Sequence, residues 1–235
     1  LTLLDPGSEP FGLTPERTFV DINGVRFIGI PYLGASTQAG LDTIAEQCCH
    51  VSWESIHFTV LILHAAVEGQ HPDVPGVLRI ADLQLLRPYV QYVALGHLHK
   101  PYTIDEWLYN PGSVETVDFS EAIYHDRGVF IVDVDGSGKR VQSCVLERRP
   151  FKTLYFEVDI HRDPSELIIA LREFVRDEVA GWAAHKLAPV VRVILRGTLA
   201  FDRGLLDTGA LTAQLKEDTQ ALIVRLELRL TGFDI

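Results

Sequence analysis

The chain is 235 residues long, 47% hydrophobic, and carries a formal net charge of −11 at pH 7. That length and apolar content suffice for one large domain or two small ones. The charge argues against broad, sequence-independent nucleic-acid binding through a basic face, and no apolar run approaches the ~20 residues of a membrane span.

The sequence begins in mid-pattern at Leu1 and contains no methionine, which suggests a fragment. No charged-then-apolar leader precedes Phe11, so an unexported, cytoplasmic protein is expected. Residues 18–22 and 25–30 read as short strands around Asn23-Gly24, a hairpin-turn dipeptide. Residues 41–49 read as a helix with an apolar face. Its end holds Cys48 and Cys49; with Cys144 the count is odd, which is no disulfide framework, and the spacing to His50 is poor for zinc. All three read as reduced thiols. Residues 58–63, Phe-Thr-Val-Leu-Ile-Leu, form the near-continuous apolar run of a strand covered on both faces, ending at His64. A Gly/Pro-rich loop follows over 67–76. A short helix over 80–86 then leads to a strand over 92–95 that runs into Gly96-His97-Leu98-His99.

Strands over 128–134 and 139–146 are joined by the turn Asp135-Gly136-Ser137-Gly138. Before Pro150 there are 10 basic against 19 acidic residues, and from Pro150 onward 11 against 13. Lys139, Arg140, Arg148, Arg149 and Lys152 cluster at this junction, where a phosphate-binding patch is to be sought; a solvated hairpin and linker is the alternative. Beyond it come a strand over 151–158, a helix, a strand over 190–196, a helix over 205–216 and a strand over 222–230. Asp163 is the N-cap of the first helix, with Pro164 in its first turn and Glu166 three residues on. Its apolar face is Leu167, Leu171, Phe174, Val175 and Val179. The pattern divides the chain into domains 1–149 and 150–235.

The histidines speak most directly about chemistry. Imidazoles at i and i+2 of an extended stretch point to one side, about 7 Å apart along the chain. Gly96 removes a side chain where the backbone turns or something approaches closely. Histidine is the commonest neutral nitrogen ligand of transition metals. Two strands end in histidine at their carboxyl ends, where sites gather in layered α/β folds, so His64, His97 and His99 are expected to hold metal. His50, His57, His125, His161 and His185 lack a partner at ligand spacing and read as surface or capping residues. His71, in the loop after His64, is placed to overhang the site. Lys100 and Tyr102 are candidates to steer a phosphate, with plain solvated loop residues as the alternative.

Leu63-His64, Gly96-His97-Leu98-His99-Lys100-Pro101, Asn110-Pro111-Gly112-Ser113-Val114-Glu115 and Phe119-Ser120-Glu121-Ala122 together resemble the calcineurin-like metallophosphoesterases, specifically the SbcD-type DNA repair exonucleases. The resemblance implies an α/β fold: the C-terminal part of a layered metallophosphoesterase β-sandwich with flanking helices, plus a small α+β capping domain that helps hold DNA. It implies His64 and His97 on one metal and His99 on the other, with two Mn²⁺ ions in the complete site, or Mg²⁺ in their place. It also implies DNA and an SbcC-type ATPase as partners, a homodimer in the complete protein, and no membrane. Lys100, Tyr102, Arg148, Arg149 and Lys152 are the candidate DNA contacts.

Three ligands of the family's seven are present. The Asp-x-His, Gly-Asp-x-x-Asp and Gly-Asn-His-Asp motifs that precede them in the family are not found. Asp159-Ile160-His161 falls after the paired histidines and reads as a strand-end carboxylate and a surface histidine. No catalytic residue is therefore identified, the N-terminal part of the phosphoesterase domain is expected to be missing, and the chain alone is expected to be inactive. A general metallophosphodiesterase or nucleotidase, and a non-catalytic module docking an ATPase or DNA, are the competing readings.

Overall fold

The structure, a computed structural model, describes residues 19–30, 36–71, 77–182 and 186–231. Thr18, loop positions 72–76 and His185 lie outside the described residues. The chain divides into two compact units, one reaching Val114 and including Asp126–Leu146, the other formed by Glu115–His125 and the chain from Glu147 onward.

In the first unit, β1 (Phe19–Ile22) and β2 (Val25–Ile30) form the hairpin about Asn23-Gly24. Both turn residues have positive φ, 51° and 78°, as a tight hairpin turn requires. Then follow α1 (Thr37–Cys48), β3 (Phe58–His64), α2 (Ile80–Leu83) running into a 3₁₀ turn over Gln84–Leu86, and β4 (Tyr92–Gly96). Two three-residue strands, β5 (Tyr102–Ile104) and β6 (Leu108–Asn110), precede the hairpin of β7 (Gly128–Asp135) and β8 (Gly138–Val145).

Among the described residues one sheet has the order β1-β2-β3-β4-β6-β5. Its β2, β3, β4 and β6 run parallel, while β1 and β5 are antiparallel edges. On one face, Leu41, Ile44 and Cys48 of α1, with Leu83 and Leu86, meet Ile28, Leu61, Leu63, Val93 and Leu95. On the other, Phe130, Val132, Val134 and Val141 of the hairpin cover Phe58, Tyr92 and Tyr109. Each fully buried Leu or Ile contributes about 1.5–3 kcal/mol, so the parallel strands are anchored from both sides. The expected double cover of β3 fails toward the strand's carboxyl end, at Ile62, which is 38% exposed, and at the exposed His64.

The second unit runs β9 (Phe151–Glu157), α3 (Pro164–Ala180), β10 (Val190–Gly197), α4 (Thr208–Thr219) and β11 (Ile223–Leu230). Its strands lie in the order β11-β10-β9 and both pairings are parallel. This corrects the expected α+β class: parallel neighbours need crossovers, α3 and α4 supply them, and the unit is α/β. The Asp163 carboxylate accepts from the Glu166 amide at 2.9 Å, and Leu167, Leu171, Val175 and Val179 are buried against the sheet. The second helix starts three residues later than the 205 expected, because the Asp207 carboxylate caps it through the Ala210 amide at 2.9 Å. Leu205 belongs instead to a preceding 3₁₀ turn, itself capped by Asp202.

Candidate metal centre

Three adjacent parallel strands, β3, β4 and β6, end at His64, Gly96 and Asn110, so their carboxyl ends form one rim. His64 is the register partner of Gly96. A Cβ on residue 96 would stand 3.2 Å from His64 Nδ1, so glycine leaves room for the His64 ring beside the strand. The chain then turns sharply: His97 has φ of +93°, a conformation L side chains rarely adopt. Such a residue costs about 1–3 kcal/mol and persists only where its surroundings over-determine it.

The turn aims His97 Nδ1 at His64 Nε2, 3.2 Å away, with the ring planes 72° apart. One nitrogen donates and the other accepts, as the tautomers decide. Burial, and after it the neighbouring His64 and His99, push the His97 pKa below its ordinary 6.5. The spacing suits a shared ion, because metal–nitrogen bonds of about 2.0–2.1 Å at tetrahedral to octahedral angles put neighbouring nitrogens about 2.9–3.4 Å apart. The pair thus fits two positions of one coordination shell. His64 and His99 are exposed and His97 is half-buried. Among the described residues, no three His, Cys, Asp or Glu side chains gather closely enough to hold a metal, so His99 does not join the other two as a third ligand.

A buried segment supports the loop. The Asn110 amide, 1% exposed, donates to the carbonyls of Leu98 at 2.8 Å and Lys100 at 2.7 Å. The Ser113 amide donates to the His99 carbonyl at 3.3 Å. Gly112 has φ of +77°, and a Cβ there would lie 2.5 Å from the His99 carbonyl oxygen. Arg127, fully buried, donates to Ser113 Oγ at 2.5 Å. The sequence marked Asn110-Pro111-Gly112-Ser113 only through resemblance and passed over Arg127, whose signal was a lone cation directly before an apolar strand.

The remaining candidates are dispersed. Lys100 is half-exposed beside His99. Tyr102 packs against the core, and burial pushes its pKa up to about 12. Lys139 donates to the Gln91 carbonyl at 2.6 Å over the Tyr92 and Tyr109 rings, in the first unit. In the second unit, Arg148 donates to the Tyr124 carbonyl and meets His125 Nδ1 at 3.2 Å, while Arg149 donates to the Ala188 carbonyl. Lys152 Nζ binds Glu178 Oε2 at 2.7 Å and lies over Trp182. His50, His57, His71 and His125 are exposed. His161, expected at the surface, is 6% exposed and stacks on Phe156 with centroids 5.4 Å apart. Asp159 accepts from the Thr198 amide at 2.8 Å. A cleft of about 850 Å³ lined by His57, Arg87, Glu106, Trp107 and Lys139 opens at the amino ends of the same strands, and His64, His97 and His99 are not among its lining residues.

No helix among the described residues is long and apolar enough to cross a membrane. No protein-family model matches the chain. An alignment of 138 residues is 25% identical to the SbcD component of the SbcCD nuclease of Staphylococcus epidermidis and covers 50% of this chain. The chain spans 36% of that protein's length. Over half its length, this mixed α/β chain is thus similar to one component of a nuclease.

Proposed function

We propose that this chain is the distal part of a two-metal, manganese-dependent DNA exo/endonuclease of the SbcD type, working in double-strand break repair with an SbcC-type ATPase and, when complete, as a homodimer. The observation that carries the reading is the His64–His97 nitrogen pair, 3.2 Å apart across neighbouring strand ends. Similarity to a nuclease component over half the chain supports it. Bound Mn²⁺, or Mg²⁺, would supply Lewis-acid stabilisation of the scissile phosphate and a water of lowered pKa. His64 and His97 would hold one ion and His99 would face the second, with Lys100 beside them to meet phosphate. Neutral imidazoles do not offset the charge of two dications. The isolated chain therefore binds Mn²⁺ weakly and leaves phosphodiesters intact. Titration followed by Mn²⁺ paramagnetic resonance, alongside cleavage of linear DNA, tests this with a His97→Ala control. Equal Mn²⁺ binding by both proteins would refute the metal role; cleavage by the chain above the control would refute its inactivity.

One observation favours a second reading, a non-catalytic module that docks DNA or an ATPase: no three-ligand cluster exists among the described residues. Such a module shows no histidine-dependent Mn²⁺ binding even when a segment carrying the family's carboxylate motifs is added in trans.

A further inference from the structure

We infer that Asn110 is a positioning residue for the His64–His97 pair, acting through the backbone of the loop that carries His97. Its consequence for metal rests on the function proposed above; its effect on the two rings does not. Three successive carbonyls of the loop, those of Leu98, His99 and Lys100, are bound by residues 110–113, the first and third by one Asn110 amide group and the second by the Ser113 amide. Two acceptors facing a single side-chain group require the NH₂ end of the amide. Aspartate offers the same shape without the donors, and leucine fills similar space with neither.

The brace is stiff on its far side. Asn110 ends β6, which pairs with both β4 and β5, so its Cα is fixed by the sheet. Gly112 brings its backbone against the His99 carbonyl where a Cβ would lie 2.5 Å from that oxygen and 3.1 Å from Arg127 Cγ. Arg127 holds Ser113 from the buried side. The loop therefore has little freedom to relax, and His97, one residue before the first held carbonyl, stays at a φ of +93°. That backbone angle is what turns its ring toward His64. Without the Asn110 donors, the buried Leu98 carbonyl and the part-buried Lys100 carbonyl lose this partner and the loop is free to return to negative φ, swinging the ring away.

The test uses the whole chain without metal. Nuclear Overhauser contacts between the His64 and His97 rings, and imidazole ¹⁵N shifts, are recorded for wild type and Asn110→Leu. Amide protection of Leu61, Leu63, Val93 and Leu95 reports the sheet. The expected result is loss of the ring contact with amide protection retained, a pattern that a role in general stability does not produce. Zn²⁺ titration of the same proteins should show affinity reduced about tenfold to a hundredfold, as for other residues that orient metal ligands indirectly. If Asn110→Leu does not fold, Asn110→Ala, which removes the donors without adding bulk, reads the same contact. A folded variant that keeps the ring contact overturns the proposal. So does unfolding of both variants, since Asn110 would then serve the fold and not the pair. Wild type that binds no Zn²⁺ defeats the proposed function while the ring contact still decides the role of Asn110.

Discussion

The backbone at His97 makes a prediction that separates strain from side-chain loss. His97→Ala and His97→Gly remove the same imidazole and the same 3.2 Å contact with His64. They differ in what they leave at a φ of +93°. Alanine keeps a Cβ in a region that costs an L residue about 1–2 kcal/mol, whereas glycine occupies it freely. Glycine also enlarges the unfolded ensemble, which returns about 0.4–1 kcal/mol. The difference leaves His97→Gly more stable than His97→Ala by about 1 kcal/mol. With a urea dependence of about 1–3 kcal/mol per molar, the unfolding midpoint of the first unit shifts by roughly 0.5 M. Because each unit has its own hydrophobic core, the midpoint is followed through the amides of Leu61, Leu63, Val93 and Leu95, which lie in the core of the first unit. A His97→Ala variant as stable as His97→Gly would falsify the claim that this residue is held against its own preference.

Three other outcomes follow from the structure. The Asp218 carboxyl is held below its ordinary 3.8 mainly by hydrogen bonds from Arg172, at 2.6 and 2.9 Å, across α3 and α4. A depressed folded pKa adds stability that is complete above the unfolded value and is lost as pH falls through the folded one, so below about pH 4 the second unit weakens. Asp218→Asn should be less stable at pH 6 but lose less between pH 5 and pH 3, read as urea midpoints of the β10 amides; parallel pH curves would contradict the linkage. Burial first, and Cys49 second, push the Cys48 thiol up to about 11, leaving about one thiolate in a thousand at pH 8. A disulfide reagent at pH 8 should label exposed Cys49 long before Cys48, and mass spectrometry showing the reverse order would overturn this. Two imidazoles without carboxylates favour Zn²⁺ over the harder Mn²⁺. Competition titration should rank them so in the isolated chain, and equal affinity would mean oxygen ligands have joined the pair.

What the sequence made legible depended on how far each signal had to reach. The Asn23-Gly24 turn and the Asp163 cap are decided within four residues, and both formed where local chemistry places them. The helix beginning at Thr208 was misplaced because Asp202 and Asp207 are both capping residues, and only the second starts the longer element. β5 and β6 were missed altogether. Three residues cannot show a period of two, and these strands exist because Thr103 pairs with Tyr109 and Ala94 with Tyr109 from the other side. His161 read as a surface residue because its cover, Phe156, is supplied by tertiary stacking.

The candidate site divides along the same line. His64 and His97 could be named from strand-end patterning, but their contact requires β3 beside β4, Gly96 opposite His64, and a turn of positive φ. That turn in turn depends on β6, the element the periodicity hid. The ligand types were therefore visible in the letters, while the geometry that makes two of them a pair is stored in Asn110, Gly112, Ser113 and Arg127, 13 to 30 residues downstream of His97. A short polar motif following a metal-type motif is thus better read as its backbone support than as a further reagent: the Asn110 side chain and the Ser113 amide face carbonyls, and what they supply is the angle at which the first histidine leaves the strand.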